Sequence, residues 1–143
     1  MANRTFIRFA NVTIANAATI SECVVGLTAS NSDSDVTVTL TLGFADADDQ
    51  AAPTDATELD ALTMTTATVA WSPGAWTDGE KYFTPDLKTS LQEVVDRGGW
   101  ASGQAVVLII EDNGSSGQAF RRFSAYDFDS GSEKPFMAVA YSA

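Results

Sequence analysis

Carboxylates are the most abundant ionisable side chains here, and Asp46, Asp48 and Asp49, with Asp55 close behind, crowd into one stretch. Such oxygens suit Ca²⁺, which takes six to eight of them and tolerates irregular loops. The spacing of a known calcium loop is missing, so the stretch reads first as a solvated acidic loop and only second as a calcium site. Asp127, Asp129 and Gly131 imitate the opening of an EF-hand loop, but Ala138 stands where the bidentate glutamate belongs. Glu80, Glu93, Glu111 and Asp112 offer pairs for glycoside hydrolysis, with no sign of which two would flank a bond. Acidic composition alone produces such pairs, so no catalytic residue and no required cofactor is expected.

The chain contains no histidine, which removes Ser-His and Cys-His nucleophiles, imidazole metal ligands and the commonest general base together. Cys23 is the single cysteine, so an internal disulfide and cysteine-based zinc frameworks are excluded, and its place on an apolar strand face makes it an inert core residue. The net charge is −11, a field that repels phosphate backbones and anionic headgroups, so neither nucleic acid nor membrane is an expected partner. No run of apolar residues in MANRTFIRFANV matches a secretory leader, and the protein is expected to be made and used without one.

Two further groups can recognise something. Trp71, Trp76 and Trp100, with Tyr82 and Tyr126, contain enough flat apolar surface for a sugar-stacking platform, Trp76 and Trp100 being the prime candidates. Packing of the same rings between a helix and a sheet is the plainer reading. Arg4, Arg8 and Arg122 stand out in a chain with eight basic residues. Arg4 and Arg8 share one face of the first strand with Phe6, and one of the adjacent pair Arg121 and Arg122 must point outward.

These groups need elements to position them. Val36, Val38, Leu40, Leu42 and Phe44 alternate with Thr37, Thr39, Thr41 and Gly43, while Cys23, Val25, Leu27 and Ala29 form a second alternating strand; with Asn31 to Asp35 as a turn, the two are expected to form a β-hairpin. Thr5 to Phe9 and Val12 to Ile14 read as one bulged strand. Residues 45–62 read as a long acidic loop with a turn of helix near Thr57 to Leu62, and Thr65 to Trp71 returns to strand composition. The convincing helix spans about 85–97, with Thr84 as N-cap, Pro85 at the first position and the stripe Leu87, Leu91, Val94 and Val95. Gln104 to Glu111 is apolar on both faces and belongs at the centre of a sheet. Asp112 to Gly117 reads as a hairpin loop, and Phe120 to Phe128 and Phe136 to Tyr141 as closing strands. In sum, 143 residues predict one all-β domain, a β-sandwich or jelly roll with one α-helix in a crossover.

The colinear series Ile7-Arg8-Phe9, Ala17-Ala18-Thr19-Ile20, Thr68 to Trp71, Asp86 to Val95, Ala101 to Ala105, Arg121 to Ser124 and Pro135 to Tyr141 resembles the DNRLRE-type jelly-roll domains. That family is similar to some carbohydrate-binding modules and occurs in the structural proteins of tailed bacteriophages. The resemblance implies a non-enzymatic virion protein, such as a capsid decoration or cement protein, whose partners are capsid protein or copies of itself. It implies, as the competing reading, a glycan-binding module. Family members carry an additional strand-forming segment ahead of the Arg-Phe strand, where this sequence has Met1-Ala2-Asn3. The first-strand edge, with Arg4, Phe6, Arg8 and Arg122, is therefore the expected subunit interface.

Overall fold

The structure, a computed structural model, describes residues 3–33, 37–115, 121–124 and 133–143. It contains β1 (Arg4–Val12), β2 (Thr19–Thr28), β3 (Leu40–Phe44), α1 (Ala56–Ala61), β4 (Val69–Trp71), β5 (Lys81–Phe83), α2 (Lys88–Val95), β6 (Gln104–Asp112) and β7 (Phe136–Ser142). These strands form two antiparallel sheets, one of four in the order β1-β6-β3-β4 and one of three in the order β5-β2-β7. The fold is an all-β sandwich.

Alternation explains which faces meet. Cys23, Val25 and Leu27 project from β2 into a core that receives Leu42 and Phe44 from β3 and Val106, Leu108 and Ile110 from β6. β6 lies inside its sheet and buries both faces, since Val107 and Ile109 enter a second cluster on the outer side with Ala45, Phe6, Leu62 and Met64. The acidic segment contributes Ala45 and Leu62 to that second cluster. Its helix, α1, starts at the N-cap Asp55, whose carboxylate accepts from the Glu58 amide, and it lays Leu59 inward. The expected helical turn is therefore present, in a segment that roofs the four-stranded sheet.

The expected hairpin does not form. β2 belongs to the three-stranded sheet and β3 to the four-stranded one, so the chain between them crosses the sandwich. Period-2 alternation reports that a face is buried, and it reads the same whether the neighbouring strand lies alongside or opposite across the core. Residues Val36, Ser34 and Asp35 lie outside the described residues, and β3 begins only at Leu40. Residues 116 and 117 of the expected hairpin loop lie outside the described residues; β6 ends at Asp112 within the four-stranded sheet, while Phe123 bridges Ala29 beside β2. Most of the strand expected at Phe120 to Phe128 falls outside the described residues.

α2 does connect the two sheets, between β5 and β6, and its stripe Leu87, Leu91, Val94 and Val95 is buried as expected. Its start differs. Leu87 occupies the N-cap position without a side-chain bond, while Thr84 Oγ1 accepts from the Val25 amide at 3.0 Å and Asp86 Oδ1 from the Cys23 amide at 2.9 Å. The Thr84 and Leu87 amides bond the carbonyls of Val25 and Cys23 in return. Residues 84–87 thus continue the edge of β5 along β2; Thr84 Oγ1 serves that strand, while Asp86 Oδ1 serves both the strand and the Lys88 amide at the start of α2, at 3.0 Å. At the other end, Asn16 Nδ2 donates to the carbonyls of Val95 and Arg97 at 2.8 and 2.7 Å.

Candidate functional site: the open border of the sandwich

β1 pairs with β6 from Arg4↔Glu111 to Val12↔Gln104, and among the described residues no strand lies on its other side. β7 ends the opposing sheet in the same way. Between these borders runs a groove of about 700 Å³ lined by residues 5–10 of β1, Phe123 and residues 134–137. It continues into a space of about 300 Å³ beside residues 9–14, Met137, Val139 and Tyr141. Tyr141 Oη donates to the Thr13 carbonyl at 3.2 Å and laces one end. The register shift between Phe9 and Val12, with Asn11 at φ 58°, bends that same end of the edge. Thr5 to Phe9 have neither device. That stretch presents an edge with no proline.

The arginines expected to serve a partner are engaged within the chain. Arg4 Nε pairs with Glu111 Oε2 at 2.6 Å, and its Nη1 donates to the Leu59 and Leu62 carbonyls at 3.1 and 2.8 Å. α1 has no basic residue in its last turn, so Arg4 supplies the positive charge favoured at that end of the helix. Arg8 Nε donates to the Gln50 carbonyl at 2.9 Å, and Phe6 between them packs in the outer cluster. Arg122 grips the buried Asp33, with Nη2 to Oδ1 at 2.8 Å and its own amide to Oδ2 at 2.8 Å. Arg121 Nε reaches the Gly74 carbonyl at 2.9 Å. The expected interface therefore retains its strand edge, while these four side chains hold the chain to itself. Alternation gave the correct face for Arg4, Phe6 and Arg8 but not what would cover that face.

The calcium candidates are likewise engaged. Asp48 and Asp46 accept from Arg97 Nε and Nη1 at 2.8 and 2.7 Å, and these bonds, Asp48 first, raise the pKa of the guanidinium. Asp49 accepts from the Ala105 amide at 3.0 Å. Among the described residues no three acidic or cysteine side chains gather as a metal would require. Tyr126, Asp127, Asp129 and Gly131 lie outside the described residues. Of the remaining carboxylates, Glu93 accepts from the Thr66 and Ala67 amides at 2.9 and 2.6 Å. Asp112 is held below the usual carboxylate range, first by its hydrogen bonds with Ser115. Sequence reading missed Arg97 and Asp33, because both roles depend on partners 49 and 89 residues away.

Neither prime glycan candidate presents a ring face to solvent. Trp76 is 4% exposed and stacks on Tyr82 at 4.9 Å, and Trp100 is 3% exposed with Nε1 donating to the Ile14 carbonyl at 2.8 Å. Packing, the plainer reading, describes both. A recess of about 340 Å³ remains at one end of the core, walled by Trp71, Trp76, Phe123 and Leu40, with Asp112 and Ser115 at its polar side. Cys23 is fully buried, and burial pushes its thiol up to about 12.

No protein-family model and no curated protein matches the chain. The resemblance to DNRLRE-type domains accordingly rests on the colinear order of segments alone. No helix among the described residues is long and apolar enough to cross a membrane.

Proposed function

We propose that this protein is a non-enzymatic structural subunit of a tailed-phage virion, decorating or cementing the capsid surface through contacts with capsid protein or further copies of itself. The observation that carries the reading is the border strand β1, nine residues long, with no neighbour on one side among the described residues and an apolar groove beside it. Such an edge adds a strand from another chain through backbone hydrogen bonds, with the groove receiving alternate side chains. Repeated over a lattice, modest junctions hold a shell through effective concentration. The segment order supports the phage setting, and the border supports the mode of contact.

Purified protein mixed with parent particles that lack it should co-sediment with them. Thr5→Lys, which places a charge on the exposed edge, should abolish that binding without lowering the melting temperature. Protein that never co-sediments and never self-associates would overturn the reading. The aromatic recess favours one competitor, a glycan-binding domain, because indole walls beside carboxylate and hydroxyl groups suit a sugar ring. Retention on polysaccharide that Trp71→Ala eliminates, in protein that ignores particles, would install that competitor.

A further inference from the structure

The outer surface of the three-stranded sheet carries a second pattern, independent of the border and of any phage role. Cys23, Val25 and Leu27 face the core, so Glu22, Val24 and Gly26 face outward. Their register partners on β7 are Ala140, Ala138 and Phe136, and on β5 Phe83 lies opposite Gly26 with Lys81 two residues before it. Phe83 and Phe136 meet edge-on at 5.8 Å above Gly26, where a Cβ would come within 2.5 Å of the Phe136 ring. Phe83 remains 51% exposed, and Ala138 and Ala140 are exposed.

Along the strands this face therefore changes in order from a cation, Lys81, through large aromatic rings, to small side chains, to an anion, Glu22. A half-turn about an axis in the plane of the face, crossing the strands between the rows of Gly26 and Val24, brings each feature onto its complement. Phe136 then lies over Ala138 of a second copy and Phe83 beside Val24. Lys81 reaches Glu22, and each contact occurs twice because such an interface is isologous. The small residues allow two sheets to approach to the usual ~10 Å spacing. We infer that two copies of this chain associate through the outer faces of their three-stranded sheets, in a twofold dimer closed by reciprocal Lys81–Glu22 pairs.

Strands of 3, 10 and 7 residues, at ~4.8 Å spacing and ~3.3 Å per residue, give roughly 300 Å² per copy, under half of a standard stable interface. The dimer is accordingly one of micromolar or weaker affinity. Analytical ultracentrifugation from about 10 μM to about 1 mM reads it directly. The wild type should dimerise, and Phe83→Ala, Lys81→Glu and Glu22→Lys should each loosen the dimer by about tenfold or more. The double variant Lys81→Glu with Glu22→Lys should regain it, and an equimolar mixture of the two single variants should form mixed dimers. Circular dichroism confirms that these surface variants are folded. A wild type that stays monomeric at about 1 mM overturns the inference. So does a dimer indifferent to both charge reversals, and one abolished by Thr5→Lys but not by Lys81→Glu assigns self-association to the border instead.

Discussion

The two outer faces of the sandwich are built on different terms. On the four-stranded sheet, β6 turns Val107 and Ile109 outward, fully buried beneath Phe6, Leu62 and Met64. On the three-stranded sheet, β2 and β7 turn out Glu22, Val24, Gly26, Phe136, Ala138 and Ala140, and no helix or strand among the described residues covers them. Residues 45–64 roof one face, and among the described residues the other presents small side chains and one aromatic pair. The difference shows that an acidic, alanine-rich stretch acts as core material where a central strand is apolar on both sides.

The largest test of this contrast is Ile109→Ala, which removes buried volume under the roof and should cost about 2–4 kcal/mol in urea denaturation. Next comes the inner side of β2. Cys23, with its thiol raised from 9.0 to about 12, favours the folded state while it remains protonated. That contribution is complete below pH 9, where folded and unfolded thiols are both protonated, and it is lost as the pH rises from 9 towards 12. Cys23→Ala should therefore flatten the alkaline limb of a stability profile, and the wild-type thiol should react with iodoacetamide only on unfolding. Arg4→Ala removes the fastening of α1 and should cost about 1–3 kcal/mol, with proteolysis rising first within residues 45–64. Gly26→Ala, which forces the Phe136 ring aside, should cost about 1–2 kcal/mol. Ala138→Asp, on the bare face, should shift dilute monomer stability by less than about 0.5 kcal/mol. If Ala138→Asp proved as damaging as Ile109→Ala, the two faces would not differ as described.

Local pattern revealed the elements more faithfully than their neighbours. β6 was legible as a central strand because nothing but burial on both faces suits Val106 to Ile110, and the bulge in β1 was legible from its broken alternation. The false hairpin arose because Val25 and Leu42 enter one core from opposite sheets, a relation that sequence proximity disguises as pairing. Thr84 and Asp86 have capping chemistry, but Thr84 accepts from β2, and Asp86 shares one carboxylate oxygen between β2 and the first amide of α2. The site was less legible than the fold. The edge of β1 was readable, whereas the engagements of Arg4, Arg8 and Arg122 were not, since each depends on a carbonyl or carboxylate brought near only by folding.

The fastening of α1 has one more consequence. Six residues cannot sustain a helix unaided, and the guanidinium that completes this one projects from the border strand itself. Rim and roof therefore share a single rivet. Amide exchange should find the two loosening together, so that a neighbour pulling on the rim is felt beneath the roof.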